Sequence, residues 1–485
     1  CRSYGPADFA PASASQAPLW LAPEPEAAPG RELDWLANQP RYSITVTLDP
    51  DQQQFSGEMT LVLTNTQTVT LDHLLLRLLP NSGMSYGNGA LHVADDLTVD
   101  GQPVQAANPN GDLSQLSVPL ADGLAPGQDV RVSLSFSGTV PQDFGGEAAP
   151  YAYGIYNLSD QVLALASWYP ILAVFEQGAW RADAVLPIGD SVYSEIAQYD
   201  VTITAPAAWV VAATGAQQGQ APAGEGWIEH RYQAGFVRDF FITASPDFQV
   251  LSSMTGEVTV NAYYLLGSED GAAKTLEVGK KAVQIFSELF GEYPYTELDI
   301  VQAPMRNALG VEYPGIVLIG AEGYTKPDDP AFTVTVAHEA AHQWWYNVVG
   351  NDVFLEPWLD EGLTTFSSAV YYEEAAGPQA YTEVRSYWQG RYDRLVQDGR
   401  DVPLSWSLDE FMQQDPEAYA PVAYSKGALF FDALRNEMGD EAFFAALNSY
   451  YQDHRYQIAT ESDLRAAFIQ TAGTNVEAIF DAWLK

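Results

Sequence analysis

Three observations predict a multidomain fold in which an N-terminal antiparallel β sandwich or saddle precedes an α+β half. The chain has 485 residues, beyond the size at which a single hydrophobic core keeps growing. Apolar and polar residues alternate in short runs as far as Val250, and from Ser252 onward the apolar period becomes helical. Hydrophobic residues make up 47% and aromatics 12% of the chain, enough to bury sizeable cores.

Residues 1–31, rich in Pro, Ala and Ser, read as a flexible tether. Residues 32–251 read as the β domain. Its runs at 42–48 (YSITVTL), 55–64 (FSGEMTLVLT), 130–136 (VRVSLSF) and 199–204 (YDVTIT) alternate with period two, and Gly, Pro, Asp and Asn punctuate them. No internal repeat of solenoid or propeller length is visible. Residues 252–485 read as the α+β domain. A helix at 272–290 places Leu276, Val283, Phe286 and Phe290 on one face, and Gly291 with Pro294 stops it. Strand-like segments follow at 298–302 and 310–319, then helices at 332–347 and 359–376. A helical run extends from 425 to the end, with Thr460 and Asp463 as a capping signal.

The formal charge is −41, from 63 acidic and 22 basic residues. Such a field repels a nucleic-acid backbone and anionic membrane surfaces; it reads as a solvated acidic surface that keeps the molecule in solution, with adaptation to salty surroundings or a preference for cationic peptides as the alternatives. Cys1 is the only cysteine, so no intrachain disulfide is possible. A cysteine at the head of a Pro/Ala/Ser-rich stretch resembles a bacterial lipoprotein after signal removal, which implies a lipid anchor at Cys1 and an extracytoplasmic location. No apolar run reaches the roughly 18 residues of a transmembrane helix.

The chemistry is carried by His338-Glu339-Ala340-Ala341-His342. Residues four apart on a helix share a face, so His338 and His342 can offer two imidazole nitrogens to one ion. Glu361 follows after the eighteen residues from Gln343 to Asp360 and supplies a third ligand from the start of the next helix. Two His and one carboxylate, with a position left open for water, favour one Zn2+. Glu339 falls beside the metal without joining its ligands. There it can take a proton from the activated water and pass it to a leaving amine.

Taken together, these residues resemble the M1 family of zinc aminopeptidases, the gluzincins with HExxH, eighteen residues and then Glu. The similarity runs through Trp344, Trp345, Asp352, the Trp358-Leu359-Asp360-Glu361-Gly362 segment and the upstream Gly310-Val311-Glu312-Tyr313-Pro314. It implies a thermolysin-like catalytic domain behind the β domain and peptides as substrates. It further implies that Glu312 holds the free α-ammonium, that Tyr424 donates to the tetrahedral oxyanion, and that Tyr419 has a supporting role in substrate binding. The segment around Glu312 departs from the family pattern: Leu309 stands where Gly is common, Val311 replaces Met and Tyr313 replaces Asn. Trp344 and Trp345 are expected to pack behind the zinc helix. The large helical C-terminal domain of many members has no counterpart here, which implies an open cleft. Alternative functions are an open-cleft endopeptidase or broad peptidase, and a non-catalytic peptide-binding module.

Overall fold

The computed structural model describes residues 34–472 and 476–485. The tether at 1–31 and the Cys1 anchor site lie outside the described residues. The β half is organised on a nine-stranded sheet. Arg41–Asp49 lies at its heart, antiparallel to Gln54–Thr64 and parallel to Ala197–Pro206, with Arg41 opposite Val62 on one side and Gln198 on the other. Its alternation is the physical signature of a sheet with one buried face: Tyr42, Ile44, Val46 and Leu48 are buried, while Thr45 and Thr47 are exposed. Smaller sheets close over this face. One contains Leu71–Arg77 between Ile171–Leu172 and Gln115–Leu124, and another contains Val162–Leu165, all four of whose residues are buried.

The α+β half holds a five-stranded sheet in the order Gln249–Thr255, Val258–Tyr264, Glu297–Ala303, Ile316–Gly320, Gly310–Tyr313. The segment expected as one strand at 310–319 is a hairpin: Gly310–Tyr313 pairs antiparallel with Ile316–Gly320, reversing at Pro314-Gly315, where Gly315 adopts φ +71°. The reversal leaves Gly310–Tyr313 on the sheet edge. Helix Glu269–Leu289 packs on the sheet through Gly279, where an added Cβ would stand 2.4 Å from Ile300 Cδ1.

The helix expected at 332–347 spans Pro330–Ala341, and His342 caps it. Beyond it the backbone widens: Asn347, Val348 and Val349 donate to the carbonyls of His342, Gln343 and Trp344. Burial of the two tryptophans drives this departure. Trp344 donates its indole N–H to Gly291 O at 2.7 Å, and Trp345 donates to Ser367 Oγ at 3.1 Å. Both are core, as their sequence setting implied. The next helix is Trp358–Ala376. Helices Pro378–Gln397 and Leu408–Gln414 have no counterpart in the sequence analysis. The helical run expected from 425 opens with a π-helical turn at Pro421–Lys426. Thr460 caps helix Glu461–Ala472 by donating its N–H and hydroxyl to Asp463 Oδ2. Among the described residues, no helix is long and apolar enough to cross a membrane.

A buried arginine joins the two halves. Arg238 donates Nε to Tyr346 O at 2.5 Å, Nη1 to Ser194 O at 3.0 Å and Nη2 to Gln457 O at 2.7 Å. Gly350 leaves the space its guanidinium fills. Arg181 adds an ion pair with Asp352 at 2.6 Å.

Candidate active site

The helix Pro330–Ala341 begins where Asp329 accepts from Ala331 N–H at 3.0 Å, with Pro330 in the first turn. Its last turn presents His338 and His342 on one face, and their Nε2 atoms stand 3.2 Å apart. Glu361, in the first turn of Trp358–Ala376, brings Oε2 to 3.2 Å from His338 Nε2 and 3.5 Å from His342 Nε2. His342 Nδ1 lies 3.0 Å from Trp345 O, so its N–H donates there and the Nε2 lone pair faces the cluster.

These three donor atoms converge and belong to a group whose ligand atoms all lie within 4.8 Å of one another. Glu361 Oε2 is buried and takes no hydrogen bond among the described residues. Two imidazole lone pairs facing each other, beside an orphaned carboxylate oxygen, call for a cation. The donor set is that of a catalytic zinc site with an open fourth position.

The other expected residues gather around it. Glu339 is buried, and its Oε2 lacks a partner. Gly310 of the edge strand lies against it, so that a Cβ there would stand 2.4 Å from Glu339 Oε1. Glu312 is buried, with Oε2 4.0 Å from His342 Nε2, and groups with Glu339 and His342 in a second cluster of possible ligands. The π-helical turn presents Tyr424, whose phenol donates to Glu361 Oε1 and whose ring stacks beside His338, centroids 5.9 Å apart. Tyr419 sets its ring edge against Tyr424 at 5.8 Å and buries a hydroxyl without a partner. All seven sequence-derived residues therefore fall in one place.

Burial opposes ionisation of every carboxylate here. Glu361 alone escapes: its close approach to the imidazoles of His338 and His342 outweighs burial and holds it down to about 2. Glu339 is raised well above the usual range by burial and then by Glu312, and Glu312 is raised by burial against the pull of His342. His338 is lowered by burial. Burial works against His342 as well, but Glu312 and Glu361 raise it. Carboxylates outnumber the imidazoles here, a balance that suits a dication.

Two acids were not singled out from the sequence. Asp360 is buried next to Glu361, and its Oδ1 accepts from Glu361 N–H at 2.7 Å. Asp190 enters from the β half and lines a cavity with Glu312, Tyr86 and Tyr153. Its only sequence signal is a Pro-Ile-Gly-Asp loop at 187–190.

The donor set is that of an HExxH helix joined by a distal glutamate. Residues 274–483 match the family described as Peptidase family M1 domain. Aminopeptidase M1 of Arabidopsis thaliana is 28% identical over 241 residues, covering 47% of this chain and 27% of that protein. Aminopeptidase N of Streptomyces lividans is 28% identical over 221 residues, covering 43% and 25%. The matched region thus spans about a quarter of those relatives' length. Among solved structures, an M1 zinc metallopeptidase from Deinococcus radiodurans shares 22% identity with a TM-score of 0.68, covering 92% of this chain and 94% of that one. A mutant of the Deinococcus radiodurans enzyme bound to a Tyr-Ser-Ala substrate shares 21% identity with a TM-score of 0.65, covering 93% and 95%. The structural likeness establishes a shared two-domain fold.

Proposed function

We propose that the protein is a zinc aminopeptidase that hydrolyses the first peptide bond of substrates with a free N-terminus. The observation that carries this is the placement of Glu312: a buried carboxylate on the sheet edge, 4.0 Å from His342, beside the metal ligands yet outside the His338, His342 and Glu361 set. A fixed negative charge at that point suits an ammonium and sets its distance from the reacting carbonyl.

His338, His342 and Glu361 would hold the zinc, which when bound polarises the scissile carbonyl and acidifies the attacking water. Glu339 Oε2, unpartnered in its buried setting, accepts a proton from that water. The same carboxylic acid then gives the proton to the leaving amine. Tyr424, beside His338 and bonded to Glu361, keeps a phenolic proton to donate as negative charge develops on the carbonyl oxygen. Tyr419 buttresses the Tyr424 ring. The support for these roles is their convergence on one face of the cleft, together with the M1 domain match.

The test compares aminoacyl anilides carrying a free amine with their N-acetylated counterparts. Cleavage of the free-amine series and none of the blocked series is expected. Rapid cleavage of blocked peptides would replace this function with that of an open-cleft endopeptidase.

A further inference from the structure

We infer that the cavity beside Glu312 is a two-charge pocket, in which Glu312 takes the α-ammonium and Asp190 takes the cationic side chain of an N-terminal arginine or lysine. This rests on the aminopeptidase function proposed above. The cavity encloses about 400 Å³ including its mouth, and its walls come from both halves of the chain: Tyr86, Tyr153, Ile155 and Asp190 from the first, Val311 and Glu312 from the second. No lysine, arginine or histidine lines it.

The Glu312 side chain is only 8% exposed, and no other described residue's side chain donates a hydrogen bond to it. It is a buried acceptor aimed into an open space. Asp190, half-buried, lines the same cavity, and among the described residues no side chain donates a hydrogen bond to it either. Burial and then the charge of Glu312 push its carboxyl well above the usual range, so the two acids repel each other across the cavity. A single ammonium neutralises one of them. The other is left without a positive partner unless the ligand brings a second charge.

The rest of the lining suits such a side chain. Ile155 and Val311 offer apolar surface to the methylene stem. Tyr153, half-buried in the lining, offers aromatic surface, on which a guanidinium stacks more readily than a neutral side chain does. The overall charge of −41 acts in the same direction by concentrating cationic peptides near the cleft.

The experiment measures kcat/KM of the zinc-loaded full chain for arginyl, lysyl, leucyl and alanyl anilides, in the wild type and in Asp190→Asn. The wild type is expected to prefer the basic residues. In Asp190→Asn the arginyl-to-leucyl ratio should fall by at least about 30-fold, the loss of one partner of a buried charge pair, and the change should lie mainly in KM for the basic substrates. A ratio within one preparation is insensitive to partial unfolding, and the wild-type profile decides alone if the variant does not fold. A wild-type ratio at or below unity, or a ratio unmoved by the substitution, overturns the inference and leaves the aminopeptidase function standing. Failure of all four free-amine anilides to be cleaved overturns both.

Discussion

Glu339 and Glu361 are buried glutamates beside the same histidines, yet their surroundings drive them in opposite directions. Glu361 touches both imidazoles and is held near 2, whereas Glu339 faces Glu312 and is raised. One is fitted to stay a ligand anion and the other to exchange a proton. Glu339→Gln should therefore keep zinc, measured by metal analysis of the dialysed protein, and lose turnover by about 10² to 10⁴-fold. Activity within a few-fold of wild type would remove Glu339 from proton transfer. Tyr424 is half-buried, and desolvation followed by Glu361 raises its phenol well above its ordinary range, so it remains a donor at any working pH. Tyr424→Phe should lower kcat by about 10² to 10³-fold with little change in KM. An unchanged kcat, or a loss confined to KM, would exclude it as the oxyanion donor.

At the scale of elements, strand Glu297–Ala303 carries a latent pH dependence. Burial pushes Glu297 up to about 7 from its ordinary 4.5, next to the buried Asp299 that bonds Asn261. A carboxyl raised in the folded state contributes stability that is complete below about pH 4.5 and is lost as pH climbs through 7. Glu297→Gln should therefore match wild type near pH 4.5 and exceed it above pH 7, by on the order of 1 to 3 kcal/mol in urea unfolding. A pH-independent difference would contradict this.

The same strand was legible in the sequence, because an apolar run bounded by turn residues needs only local information. The metal helix was legible for a similar reason: histidines four apart declare a shared face. Its end was not, because residues 342–349 bend to serve Trp344 and Trp345, whose partners Gly291 and Ser367 are remote in sequence. Helix Pro378–Gln397 escaped because Trp388 and Leu395 are its only buried residues, too few to write a period. Asp190 escaped because nothing local says that its loop faces Glu312.

For the molecule as a whole, a charge of −41 is a standing repulsion that weakens the folded state at low ionic strength. Raising NaCl from about 0.05 to about 0.5 M shrinks the Debye length severalfold and should raise Tm. A Tm that stays flat or falls across that range would show that the excess acids are spaced too widely to matter. The same titration should slow cleavage of basic substrates more than neutral ones, because screening removes their attraction to the cleft.

The cavity beside Glu312 has walls from both halves of the chain, while every metal ligand comes from the second. The metal ligands are therefore written in the second half alone, whereas the proposed preference for a first residue needs both halves. Recombination that exchanged the first half for that of a relative would replace Asp190 and one share of the proposed pocket while leaving His338, His342 and Glu361 in place.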